Sequence, residues 1–211
     1  AFIGRTMDLV GGSAVERREV YIVDIPEDIT VPGPDGPLEG TDTTFPMPPE
    51  GTVQRRLTYS DSNCNGIIRC SKDGSRIAFT RADGNGVNQV HLISPLGGEP
   101  VQATFFDSSA NKPWWHPSGD YLFSSSGGSI WGTNVIPGDP AFGTSWMITE
   151  PTPSAAPDNL VVSPDGNWIA FCRKIDNVNQ IFVAPAAIPE PSMFLLGALG
   201  LLALASVRRR G

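Results

Sequence analysis

The chain has 211 residues, of which 23 are Gly and 20 are Pro, so about one residue in five favours turns, and helical bundles and coiled coils are excluded. Hydrophobic residues make up 40% and charged residues 18%, enough apolar material for a packed core and too little for several membrane spans. The net charge is −7, and the residues before 189 hold 12 basic against 21 acidic side chains; nucleic acid is not an expected partner, because no basic surface exists to displace counterions from phosphates.

Taken from the start, Ala1 to Gly12 contains no basic stretch followed by an apolar core, so no signal peptide is read there. Ala1-Phe2-Ile3 and Val20 to Asp24 read as two strands of one hairpin, lengthened by a polar insertion: Phe2 to Val20 spans 18 residues where the equivalent Phe79 to Val90 spans 11. Residues 26–50 then hold seven Pro, three Gly and six carboxylates with no Lys or Arg, which predicts a long acidic surface loop. That loop could be imagined to bind calcium, but it lacks EF-hand spacing. Cys64, Cys70 and Cys172 stand in no ligand-like spacing and are expected as buried small side chains.

From residue 58 onward the sequence repeats. Ser71 to Phe79, His116 to Phe123 and Ser163 to Phe171 match, with their turn glycines Gly74, Gly119 and Gly166 separated by 45 and 47 residues. Upstream of each lies a threonine, Thr58, Thr104 and Thr149, separated by 46 and 45. Two independent markers share one period. Each unit has short alternating apolar runs bounded by Gly, Asp, Asn and Pro, which predicts about four strands joined by tight turns. A four-stranded unit of that size cannot bury both faces alone, so successive units must pack face to face around an axis. The expected fold is all-β: a partial, open or truncated β-propeller of four-stranded blades, followed by one C-terminal hydrophobic helix. The pattern of leucine-threonine, Ser-Pro-Asp-Gly turn, Ile-Ala-Phe and Ile-Phe-Val strand resembles the TolB-like, or WD40-like, propeller repeat over residues 52–185. The middle unit departs from it, with His116-Pro117-Ser118-Gly119 in the turn and a shortened strand at Ile130-Trp131. The order Asn65-Gly66, Arg69-Cys70-Ser71 and Trp114-Trp115-His116-Pro117 resembles an uncharacterised subgroup near oligogalacturonate lyase-type propellers.

Met193 to Val207 is an uncharged apolar run of 15 residues, closed by Arg208, Arg209, Arg210 and Gly211. As a helix it would reach about 22 Å, short of the roughly 30 Å hydrocarbon core unless Ser192 joins it and the arginines snorkel. The basic end should stay cytoplasmic and leave the body outside the inner membrane. Pro189-Glu190-Pro191 stands just before the run, and Pro-Glu-Pro, apolar segment and arginine cluster in this order resemble the PEP-CTERM sorting signal. The resemblance implies recognition and removal of the tail by an exosortase-type membrane peptidase in organisms that make exopolysaccharide. It implies a body anchored in the periplasm first and placed at the cell surface or in the extracellular matrix after processing. The expected organisation is a partial blade at 1–57, three repeats at 58–185, a linker at 186–191 and the membrane or sorting helix at 192–211. One partial and three nearly complete blades are fewer than a six- or seven-bladed ring needs, so the chain is expected to be the C-terminal part of a larger protein.

Chemistry-bearing residues are few. Trp114, Trp115 and His116 form the candidate binding cluster, since they sit at the end of a blade strand and its turn. Alternation puts the two tryptophans on opposite faces, one between blades and one toward a loop; His116 also reads as a filling of the repeat's serine position. His91 lies mid-strand and reads as structural. Asp73 and Asp165 occupy equivalent turns in different units and should not converge, and Asp176 joins neither. Gly97-Gly98 and Gly127-Gly128 lack phosphate-loop spacing. No catalytic residue, metal site or cofactor is assigned. The reading is an exported, envelope-sorted propeller that binds protein or polysaccharide and is non-catalytic as it stands. The alternative is the C-terminal part of a polysaccharide-acting, lyase-type enzyme whose remaining site residues lie upstream.

Overall fold

A computed structural model describes residues 1–189. Among them are fourteen strands, no α-helix, and a single 3₁₀ turn at Pro153–Ala155. The strands form four antiparallel sheets in chain order. Sheet 1 holds β1 (Phe2–Val10), β2 (Ser13–Asp24) and β3 (Val53–Arg56); sheet 2 holds β4 (Cys64–Cys70), β5 (Ile77–Ala82), β6 (Asn88–Ile93) and β7 (Val101–Gln102). Sheet 3 holds β8 (Asn111–Trp115), β9 (Tyr121–Ser126), β10 (Ser129–Asn134) and β11 (Ser145–Met147); sheet 4 holds β12 (Asp158–Val162), β13 (Trp168–Ile175) and β14 (Val178–Pro185). The expected all-β architecture is present, and two of the sheets are four-stranded. The third strand of the middle unit is not shortened: β10 has six residues, as many as β6, and pairs with β9 along its whole length. Residues 26–50 form no strand, only an isolated bridge between Pro32 and Pro49. The expected C-terminal helix at 192–211 lies outside the described residues, and no helix among the described residues is long and apolar enough to cross a membrane.

Strand alternation explains why the sheets stack. In β5, Ile77 and Phe79 point to sheet 1, where they join Val20, Leu57, Cys64 and Ile93; Ala78 points to sheet 3 and joins Val90, Leu92, Trp115 and Leu122. In β9 the split recurs: Leu122 faces sheet 2, and Phe123 faces sheet 4 against Leu160, Ile169 and Phe171. Three apolar layers thus separate four sheets, and the Ile-Ala-Phe triplet is the code for burying both faces of a central strand.

Both sequence markers are hydrogen-bonding devices. The hydroxyls of Thr58, Thr104 and Thr149 accept from the backbone N–H groups of Val20 (2.9 Å), Val90 (2.9 Å) and Ile130 (3.0 Å) in β2, β6 and β10. In two units a buried acceptor completes the device. Gln89 Oε1 accepts from Thr104 Oγ1 (2.8 Å) and the Phe106 N–H (3.1 Å), and Glu19 accepts from Thr58 Oγ1 and the Ser60 N–H (3.0 Å). Glu19 is fully buried and tolerates it because Arg56 Nη2 donates to it at 3.1 Å while also holding Asp8. The glycine turns are equally regular: Ser71 and Ser163 hydroxyls donate to Asp73 and Asp165 and accept from the N–H groups of Arg76 and Trp168 (both 3.0 Å), with Gly74 and Gly166 at φ +72° and +79°.

Of the cysteines, Cys64 is buried as expected, and burial pushes its thiol up to about 11. Cys70 is exposed and Cys172 half-buried, against expectation. Cys172 lies on the outward face of β13, and Cys70 is the last residue of β4, opposite Ile77 at the end of the sheet.

Candidate functional site

The first strands of sheets 2, 3 and 4 lie against one another, β4 on β8 and β8 on β12, so the sheets fan out from one shared edge. Each of these strands breaks its pairing register at the same place: between Asn65 and Arg69, between Asn111 and Trp114, and between Asp158 and Val161. At each break one residue takes a left-handed conformation: Gly66 (φ +71°), Lys112 (φ +54°) and Asn159 (φ +51°). Glycine adopts this freely and asparagine with modest cost, but a lysine pays on the order of 1–2 kcal/mol. Lys112 is held there by an ion pair across the sheet boundary to Asp158. Partial burial pulls its ammonium below the ordinary lysine value. The repeated bulge re-aims side chains along the shared edge, which is where bulges are used next to binding sites.

Two cavities open along this edge. One, of about 240 Å³, is bordered by Ile67, Arg69, Lys112, Trp114 and Leu160; the other, of about 290 Å³, is bordered by Arg69, Lys72, Trp114, His116 and Pro164. They meet at Arg69 and Trp114 and make one trench. Trp114 packs its ring against the layer between sheets 3 and 4, while the Arg69 guanidinium from sheet 2 lies 4.5 Å from its centroid. This stack therefore ties three sheets together. Arg69 Nη1 donates to the Ile68 carbonyl at 3.3 Å, and its buried Nε has no partner.

The three candidates from the sequence take different places. Trp115 is 6% exposed, lies in the layer between sheets 2 and 3, donates from Nε1 to the Arg69 carbonyl (2.9 Å) and is stacked by Arg76 (4.8 Å). It is core. Neither tryptophan faces a loop: both sit against inter-sheet layers and both border the lobe beside His116, while Trp114 also borders the other lobe. His116 stands on the trench rim and fills the serine position of its turn, Nδ1 accepting from the Ser118 N–H (3.1 Å), with its ring edge-on to Tyr121. Its other side abuts Gly166 in the next sheet's turn, where an added methyl would overlap the ring. Burial lowers its pKa below the ordinary histidine value. His91 is buried against Phe79, with its pKa pulled down to about 4 by burial. Asp73 and Asp165 remain in separate turns, and no group of three or more His, Cys, Asp or Glu fit to hold a metal occurs among the described residues. Pro189 is the last described residue; Glu190, Pro191 and Arg208 to Arg210 lie outside them. Sequence reasoning passed over Arg69 and Lys112 as site residues, yet a signal was available: Asn65, Asn111 and Asp158 recur at 46 and 47 residues, the period of the other markers.

Comparison with known proteins gives three findings. The chain carries the PEP-CTERM protein-sorting motif over residues 187–210. It is 38% identical over 185 residues to the uncharacterized protein YidR of Escherichia coli (strain K12), a match covering 81% of this chain and 42% of that protein. This chain therefore spans less than half the length of the curated relative it matches. The structure of a putative TolB from Agrobacterium tumefaciens superposes with a TM-score of 0.52 at 19% identity, over 70% of this chain and 53% of that one. The chain is thus a homologue of YidR with the fold of TolB-like β-propeller proteins, joined to a sorting motif of the kind that exosortase, a membrane protease, recognises on exported proteins.

Proposed function

We propose that this protein is an exported, envelope-sorted β-propeller binding or scaffold protein, its four sheets serving as propeller blades. In this reading the apolar segment holds it at the inner membrane with the body in the periplasm. An exosortase-type peptidase then removes the tail, and the body passes to the cell surface or extracellular matrix, where the edge carrying the trench meets a protein or polysaccharide. The observation that carries the reading is the position of the sorting motif. It begins at residue 187, two residues after β14 ends, and the Ala187 carbonyl accepts from Trp146 Nε1 of β11 at 2.7 Å, so the body is closed off just where the tail starts. A binding role is favoured by the trench itself, whose Arg69, Lys112 and Trp114 are side chains suited to holding a ligand.

The test is fractionation of the full chain in a Gram-negative host with and without its exosortase. The expected result is retention in the inner membrane without the peptidase and appearance at the surface or in the medium with it, with removal of residues 187–211 abolishing the difference. Equal cytosolic recovery in both hosts would overturn the proposal.

A further inference from the structure

We propose that the trench is a binding site for an organic carboxylate, the carboxylate seated on the Arg69 guanidinium and the apolar body of the ligand lying along Ile67, Trp114 and Leu160. This deepens the binding reading above by naming the ligand's chemistry, and rests on it.

Arg69 differs from the other arginines of the body. Arg5, Arg17, Arg55 and Arg56 pair with carboxylates, and Arg76 and Arg173 donate to backbone carbonyls through their guanidinium ends. Arg18 and Arg81 also lack a carboxylate partner among the described residues, but neither borders the trench nor holds a buried unpaired nitrogen. Arg69 has no carboxylate partner among the described residues; one weak backbone bond and a ring leave most of its five donors free, and Nε is buried with nothing to bond. A buried donor left unpaired is costly, and a carboxylate would satisfy it in the planar, two-pronged geometry a guanidinium offers. The surrounding charge agrees. Lys72 borders one lobe and Lys112 the other, and the acidic group at this edge, Asp158, is already engaged by Lys112. On a body as acidic as this one, such a local excess of cations attracts anions to one place.

The lining decides what kind of anion. Two lobes of about 240 and 290 Å³ meeting at Arg69 match a small organic molecule, and their walls are largely apolar. A bare inorganic ion would lose its hydration there without filling the walls, whereas a carboxylate on an apolar or aromatic body gains burial from the same surface.

The test uses the purified full chain in titration calorimetry with sodium benzoate as the probe, benzamide as its neutral counterpart and inorganic phosphate as an anion without a body. Saturable benzoate binding is expected with a Kd on the order of 1 mM or tighter, with benzamide and phosphate each weaker by about tenfold or more. Arg69→Gln should weaken benzoate by about tenfold or more, and Arg5→Gln, on the exposed β1, should leave it unchanged. If Arg69→Gln does not fold by circular dichroism, Lys72→Gln takes its place, with an expected loss of about two- to fivefold that shrinks with added salt. The proposal is overturned if benzoate does not saturate, if benzamide or phosphate binds as well, or if the folded variant binds like the parent. Such a result would leave export and tail removal untouched, whereas failed sorting with intact benzoate binding would overturn only the localisation.

Discussion

Sheets 3 and 4 are built from the same repeat but end in different surroundings. In sheet 3 both faces of β9 are covered, Leu122 by sheet 2 and Phe123 by sheet 4, and both side chains are completely buried. In sheet 4 the inward residues Ile169, Phe171 and Phe182 join the layer to sheet 3, while the outward face carries Val161, Trp168, Ile181 and Val183, with Ile181 78% exposed. Ala170 occupies in β13 the place that Ala78 has in β5, yet among the described residues no sheet covers its face as sheet 3 covers Ala78. The lesson is that apolar alternation in this repeat encodes a layer on each side of every sheet, and that stability is gathered layer by layer between neighbours.

The largest expected contrast follows from this. Phe123→Ala should cost about 3–5 kcal/mol in chemical denaturation, because its neighbours on both sides are fixed. Ile181→Ala should stay within about 0.5 kcal/mol, as surface changes usually do. A loss at Ile181 comparable to that at Phe123 would break the comparison by showing that the outward face of sheet 4 is covered in solution.

Next in size are the threonine devices, which distinguish layers sharing a motif. Thr104→Val should cost about 1–3 kcal/mol, since it takes the acceptor from the Val90 N–H and one of the two donors from the Gln89 amide oxygen, which keeps the Phe106 N–H. Thr149→Val is expected to cost less, because Ser129, just before Ile130, has no long acceptor side chain in the place of Gln89, and the long bond that Thr149 accepts from Arg173 Nη2 (3.3 Å) is one of several that this guanidinium makes. Equal losses would show that the buried acceptor adds nothing.

The glycine turns sharpen the comparison between units. Gly74→Ala should lose about 1–2 kcal/mol from the left-handed backbone alone, as its side chain would meet open space. Gly166→Ala should lose more, because the methyl strikes His116. Adding His116→Ser should return it to the Gly74 level, measured as a double-mutant cycle.

A separate expected effect is on pH dependence. Burial holds His91 neutral, at about 4 in the fold against about 6.5 when unfolded. The unfolded chain then binds more protons between these values, so stability should fall as the pH drops from about 6.5 toward 4. His91→Gln should flatten the slope of stability against pH in that window, and an unchanged slope would contradict the burial.

Much of the fold was legible because its markers are periodic and local. Thr58, Thr104 and Thr149, and the glycines at 74, 119 and 166, report hydrogen bonds that each unit must make, and the Ile77-Ala78-Phe79 triplet reports two-sided burial, while Ile169-Ala170-Phe171 carries the same alternation with one side covered. The site was less legible. Arg69 and Trp114 are 45 residues apart in the sequence and meet only because β4 and β8 share an edge, a pairing no single repeat announces. His116 looked chemical because histidines are scarce, but its place in a serine turn and its contact with Gly166 explain it through packing. Trp115 is core for the reason alternation gives, whereas Trp114 is drawn to the edge by the bulge at Lys112, which turns on a backbone angle rather than on residue type.

The most direct test of export and sorting is the intact mass of the protein recovered from the cell surface or medium of a host that carries an exosortase. We expect a species that lacks the residues beyond about 190, and a full-length species at the inner membrane when the peptidase is absent. Surface material that still carries Arg208, Arg209 and Arg210 would contradict this.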